Sequence, residues 1–226
     1  RSTLFPYTTL FRSSCLFLFV ILLTGCGRSF DSQGYLTSIM DVLYKGDYTA
    51  YMDFTGTSRT DVSLYRDQWL SESTDAFLTA FGAGQPSEET TDRISGLLTQ
   101  LYANASYEAS TGASSDDGTL SVQLTIRPLN ILTDNYDTIQ TYVHSFNEKN
   151  AAFAYANLTE EAYYDTYLDG ILTILESHLA DMTFGKDTTL DITLSKNDGG
   201  LYTISEDTLT EIQNTILPWP EAEMQQ

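Results

Sequence analysis

The chain has 226 residues, with 31 acidic against 11 basic side chains and a net charge of −20. That balance argues against nucleic acid or an anionic bilayer surface as a partner, since both repel an acidic body. Its two cysteines, Cys15 and Cys26, both lie near the N-terminus, so the remainder has neither thiol chemistry nor a disulfide and must be stabilised by a packed core.

Residues 1–13 are read as foreign to the fold, because Thr3 to Ser13 (TLFPYTTLFRS) resembles the in-frame translation of a sequencing adapter. Residues 14–25 then read as a signal peptide whose n-region is missing. Cys15 to Leu23 is an unbroken apolar run, too short to span a bilayer as a helix and of the length of a signal h-region. Leu23-Thr24-Gly25-Cys26 closely resembles the bacterial lipobox. In that motif the Cys thiol is alkylated with diacylglycerol and the chain is cut between the two residues corresponding to Gly25 and Cys26. Two acyl chains hold a protein stably where one holds only marginally. The expectation is a protein tethered to the extracytoplasmic face of the cell membrane through Cys26, with net charge near −22 once Arg1 and Arg12 are removed.

Residues 26–33 are polar and Gly-containing and read as a tether; 34–217 read as one α+β domain, and 218–226 as a tail. Leu36, Ile39, Met40 and Leu43 predict a helix over 31–45 ended by Gly46, and Asp47 is placed to cap a short helix carrying Tyr48, Tyr51 and Met52. A longer helix is predicted over 58–81, with Trp69 in its core face, stopped by Gly82-Ala-Gly84-Gln-Pro86. Ser87 caps the next, whose Ile94, Leu97, Leu98, Leu101 and Tyr102 form a buried stripe. The period then changes to two: Leu120, Val122, Leu124 and Ile126 predict a half-buried strand, paired with 107–110 across a turn ending Asp116-Asp117-Gly118.

A similar order follows. Tyr136, Ile139, Val143 and Phe146 predict a helix over 133–147, and Thr159 starts a long one with Leu168, Ile171, Leu172 and Leu175 on one face. Leu190, Ile192 and Leu194 alternate as a strand that turns at Asn197-Asp198-Gly199-Gly200 into 201–204, and Ser205 caps a last helix stopped by Pro218. At an offset of 81 residues, Ile94, Leu97, Leu98 and Leu101 fall on Leu175, His178, Leu179 and Met182, so a degenerate tandem repeat with halves 34–129 and 130–217 is one reading and convergence the other. Either gives an antiparallel sheet of two hairpins packed against several helices, with cystatin-like and NTF2-like folds as analogies.

The lipobox, Phe30-Asp31, Tyr44-Lys45-Gly46-Asp47, Tyr51, Thr55, Pro128-Leu129-Asn130, Asn197-Asp198-Gly199 and Ser205-Glu-Asp207 together resemble a family of small lipoproteins of unknown function from Gram-positive, clostridial-type anaerobes. The resemblance implies a Gram-positive cell surface and brings no catalytic residues with it.

Chemistry-bearing residues are sparse. His144 and His178 are the only imidazoles, both in predicted helices, and His178 is expected to be partly buried beside an apolar stripe. Two isolated His and no body Cys supply neither a nucleophilic triad nor a zinc set. The Asp116-Asp117-Gly118 and Asn197-Asp198-Gly199 turns lack the alternating acids of a calcium loop and are read as hairpin turns. Trp219, between Pro218 and Pro220, is read as a plug over the open edge of the core, the alternative being a partner-docking segment. No catalytic, metal or cofactor residue is expected. The leading expectation is a non-enzymatic binding module for a protein or small ligand at the envelope. Alternatives are a structural or stress-related envelope accessory factor and a carboxylate-dependent glycan hydrolase.

Overall fold

A computed structural model describes residues 30–115, 118–197 and 202–219. Among these it has eight α-helices and five short strands in one curled antiparallel sheet, an α+β architecture. The first helix, α1 (Ser32–Met40), is capped by Asp31, whose Oδ1 accepts from the Gly34 N–H at 2.8 Å. Phe30 packs on Tyr202, and Ser32 is buried. The described part of the expected 26–33 tether is therefore part of the fold. Side-chain capping and aromatic packing hold it there, in line with the helix predicted from residue 31.

The helix predicted over 31–45 forms, but α1 gives way to a π-helical turn over Asp41–Lys45. That turn takes three successive side chains, Val42, Leu43 and Tyr44, into the core. Gly46, in the left-handed region at φ 66°, ends it, and Asp47 accepts from the Thr49 N–H ahead of α2 (Thr49–Thr55). The long α3 (Arg59–Ala80) and α4 (Glu88–Ala103) follow, capped by Ser58 and Ser87.

Strands β1 (Ser106–Ala109) and β2 (Ala113–Ser114) both pair with β3 (Leu120–Arg127), at opposite ends of it. The helix predicted over 133–147 is two helices, α5 (Ile131–Asp134) and α6 (Tyr136–Ala151). They meet at buried Asn135, whose Nδ2 donates to the Ile131 carbonyl at 2.8 Å alongside its own backbone N–H at 3.3 Å. Thr159 caps α7 (Glu160–Ser177); β4 (Thr188–Lys196), β5 (Tyr202–Thr203) and α8 (Glu206–Ile216), capped by Ser205, complete the chain order.

The sheet order is β1-β3-β4-β5, with β2 beside β3. The central pair runs from Leu120↔Leu194 to Ile126↔Thr188, so the two predicted hairpins join through their inner strands. Leu120, Val122, Leu124, Ile126, Ile192 and Leu194 point into the core, against stripes from α1, α4, α7 and α8 that include Leu36, Leu98, Leu172 and Ile212. The other face is solvated, with Gln123 bonded to Asp191 and Thr125 to Thr189 across the central pair. Of the four positions that the 81-residue offset maps from α4, only Leu175 lies inside α7; His178, Leu179 and Met182 follow its end.

Helices α4 and α7 run parallel and are joined at two levels. Asp165 accepts from the Ser87 N–H and hydroxyl at 2.9 and 3.0 Å. Further along, Arg93 forks onto both Glu176 oxygens at 2.8 and 2.6 Å and reaches Asp169 at 2.7 Å.

Candidate functional site

Gly25 and Cys26 lie outside the described residues, as do Asp116, Asp117, Asp198 and Gly199 of the two turns. What is described is where the chain enters the fold. Phe30 joins an aromatic cluster, 4.6 Å from the Tyr202 ring, 5.3 Å from Tyr35 and 6.3 Å from Phe54 (ring centroids).

That cluster is one wall of a half-open pocket of about 70 Å3. Its lining comes from six places in the chain: Tyr35, Ile39 and Val42 from α1 and the π-helical turn, Tyr51 and Thr55 from α2, Tyr65 from α3, Asn197 after β4, Tyr202, Thr203 and Ile204 on and after β5, and Leu209 from α8. Helical spacing explains each local contribution, since Tyr35 and Ile39 are four residues apart, as are Tyr51 and Thr55.

The polar groups of this pocket are mostly spent on the protein itself. Tyr35 donates its hydroxyl to the Tyr202 carbonyl at 2.7 Å, Thr55 to the Tyr51 carbonyl at 2.7 Å, and Thr203 to the Ser195 carbonyl at 3.1 Å. Tyr65 and Asn197 have partners as well. Burial pushes the Tyr51 phenol up to about 12. Burial, reinforced by Tyr51 and Tyr65, raises that of Tyr35 further. Both are neutral at physiological pH. Among the described residues no charged side chain lines the pocket; Lys196 lies just outside, its Nζ 5.2 Å from the centroid of the Tyr202 ring. The described lining thus offers mainly π-faces and methyl groups, with Thr55, Asn197 and Thr203 as its polar members besides the phenols.

The imidazoles lie elsewhere. His144 is exposed on α6, 3.3 Å from Glu148. His178, expected to be partly buried, is exposed: α7 ends at Ser177, and the ring folds back so that Nδ1 lies 2.9 Å from the Ile174 carbonyl. The spacing that includes it in the stripe assumes a helix that ends one residue earlier. Among the described residues no group of three or more His, Cys, Asp and Glu is placed to hold a metal ion. Nor is any helix long and apolar enough to cross a membrane.

Trp69 is buried against Tyr44 and Tyr102, as its spacing predicted. Trp219 packs edge-on against Phe77 and Phe81 at the end of α3. A polar group of a different kind was not anticipated. Tyr107 donates to Asp41 Oδ1 at 2.6 Å while Lys45 lies 3.3 Å from the same carboxylate and 4.4 Å from the centroid of the Tyr107 ring. Burial, with Asp41 beside it, raises the Tyr107 phenol well above its ordinary value, so it stays a donor. Asp41 and Lys45 are one helical turn apart, but Tyr107 reaches them from 66 residues away, which no local pattern marks.

No protein-family model and no curated protein matches the chain. Among solved structures, a crystal structure of ycdA from Bacillus subtilis, described as a candidate lipoprotein, superposes with a TM-score of 0.58 at 18% sequence identity. The match covers 83% of this chain and 56% of that one, so the chain spans little more than half the length of the protein it matches. At that identity the likeness establishes a shared fold.

Proposed function

We propose that this chain is the folded body of a lipid-anchored envelope protein and acts by binding, without catalysis, an uncharged apolar or aromatic group in the tyrosine-walled pocket. The anchor reading is supported by the lipobox Leu23-Thr24-Gly25-Cys26 and by the fold shared with the Bacillus subtilis candidate lipoprotein. The binding reading is carried by the pocket, whose described lining has four tyrosines, four aliphatic side chains and no charged residue. A charged ligand group entering it would lose its hydration with no counter-charge to meet, which is costly. An aromatic ring or branched alkyl group would instead exchange water for π-faces and methyls.

The pocket also lies at the end where the chain enters the fold. Cys26 precedes Phe30 by four residues, a reach of at most about 14 Å. A protein held at Cys26 would carry this pocket close to the bilayer, where apolar and amphipathic small molecules concentrate.

The test separates address from binding. Wild type titrated with indole or p-cresol should show a saturable change in tyrosine fluorescence, and Ile204→Trp, which fills the pocket, should abolish it with the circular dichroism intact. Absence of saturation in the wild type would remove the binding assignment. Independently, Cys26→Ala should release the protein from the membrane fraction and end lipid labelling; unchanged fractionation would remove the anchor and leave the pocket result standing.

A further inference from the structure

The loop between α6 and α7 has the opposite character to the rest of this acidic surface. From Ala151 to Leu158 it reads Ala-Ala-Phe-Ala-Tyr-Ala-Asn-Leu, without a charge. It is a built turn: Phe153 N–H donates to the Asn150 carbonyl, Ala154 to Lys149, Ala156 to Phe153 and Leu158 to Tyr155, at 2.9 to 3.2 Å. Tyr155 points inward and stacks on Phe146, centroids 4.5 Å apart and planes 18° apart, while Asn150 bonds the Tyr163 hydroxyl at 3.3 Å. Phe153 points out. Its ring is 80% exposed and its backbone sits at φ 62°, the one non-glycine residue of positive φ among those described.

A side chain in that region is strained, and here the strain gains no burial for the ring it presents. Leu158, 42% exposed, lies in the same loop. Flanking it in the chain are exposed Glu148, Glu160 and Glu161, against the single exposed Lys149. The loop also sits far from the pocket. From Tyr65 at the pocket, helix α3 runs a further 15 residues, about 23 Å, to its end at Ala80, next to Phe81, whose carbonyl accepts from the Tyr167 hydroxyl. Because α7 is parallel to α4, its first turns carry the loop further out, away from Tyr102 and the sheet.

We propose that this loop is a rigid docking knob for another protein, whose matching surface is an apolar socket, sized for a phenyl ring and bordered by Lys or Arg. A preorganised aromatic anchor loses little conformational freedom on binding, the pattern of an interface hot spot. The acidic border disfavours an anionic bilayer as the occupant, and the net charge of −20 disfavours a second copy of this chain; both favour a basic rim on the partner.

Full-length protein carrying the photo-crosslinker p-benzoylphenylalanine at position 153, expressed in its native cells, should form one discrete heteromeric adduct. Glu148→Gln, Glu160→Gln and Glu161→Gln combined should reduce that adduct several-fold. Phe153→Gly should abolish competition by unlabelled protein while raising Tm by about 2–4 °C, because glycine relieves the positive φ. Adduct formation indifferent to the three glutamates, a homodimer adduct, or no adduct would overturn the proposal. So would a fall in Tm for Phe153→Gly, or a blue shift of Phe153→Trp emission on phosphatidylcholine–phosphatidylglycerol vesicles.

Discussion

Two glycines in the middle of long helices have opposite surroundings. Gly96, exposed on α4, would place a Cβ in open space, with nothing within 4 Å. Gly170 on α7 would place one inside the ring of Tyr142, which lies across the helix and donates its hydroxyl to the Thr166 carbonyl at 2.9 Å. Glycine costs a helix interior about 0.5–1 kcal/mol relative to alanine. Gly96→Ala should therefore stabilise the protein by about 0.5–1 kcal/mol. Gly170→Ala must displace the Tyr142 ring, and overpacking of that kind costs roughly 1–3 kcal/mol, so it should destabilise. Urea unfolding of the pair checks both signs; a gain at Gly170 equal to that at Gly96 would mean that Tyr142 moves aside freely.

Among helices, the parallel pairing of α4 and α7 depends on a buried-edge carboxylate whose ionisation is tied to folding. Burial pushes Asp165 up, but the Ser87 N–H and the hydroxyls of Thr90 and Ser87 outweigh it and hold the carboxyl below its ordinary value of 3.8. In the unfolded chain the group takes up its proton near pH 4, and in the folded chain only at lower pH. Its contribution is thus complete above about pH 4 and is lost as pH falls through the folded value. Asp165→Asn keeps an acceptor for Ser87 and loses the charge. It should cost roughly 0.5–1 kcal/mol at pH 7, discounted for partial exposure, and should flatten the acid limb of the stability profile. An acid limb of unchanged slope would show that Asp165 does not titrate with folding.

The same elements show what a sequence can reveal. Ser87, Thr159 and Ser205 were each expected at a helix start, and each accepts from the N–H three residues on, at Thr90, Ala162 and Thr208; Ser58, expected only as the first residue of its helix, caps it in the same way at Asp61. The alternation of Leu120 to Ile126 predicted β3 to within a residue. These are local effects, decided by the side chain and its immediate neighbours. The kink at Asn135, the two-residue β2 and the π-helical turn are too short to produce a period. The burial of Asn135 that stabilises its kink is a tertiary effect.

For the whole molecule, the alkaline limit is set by tyrosines in three separate places. Burial pushes Tyr51 in the pocket, Tyr102 between α4 and α8, and Tyr167 against the end of α3 each up to about 12. An unfolded tyrosine ionises near pH 10, so the stability each contributes is complete below pH 10 and is lost as pH rises towards 12. Phenolate absorbance from these groups should appear together with loss of far-ultraviolet circular dichroism. Full ionisation near pH 10 with helices intact would contradict their burial. The α+β class followed from the order of helical and alternating segments, and the plug reading of Trp219 from its two prolines. The pocket did not follow, because its walls come from both ends of the domain and only the closed sheet brings Tyr35 beside Tyr202. The exposure of Phe153 was hidden for the reverse reason: its neighbour Tyr155, in an identical setting of alanines, is the ring that turns inward.

The pairing of β3 with β4 also governs when the fold can exist. The contacts Leu120↔Leu194 and Ile126↔Thr188 close loops of more than sixty residues, and the edge of β3 that β4 takes stays open until β4 arrives. A chain delivered N-terminus first can lay Val122, Leu124 and Ile126 on α1 and α4, yet their core stays incomplete until α7, Ile192, Leu194 and α8 arrive. Such non-local closure slows folding relative to a helical bundle of equal size. During that interval the nascent chain presents an apolar strand with an open edge, so its yield should depend on how fast, and beside what, the last forty residues emerge.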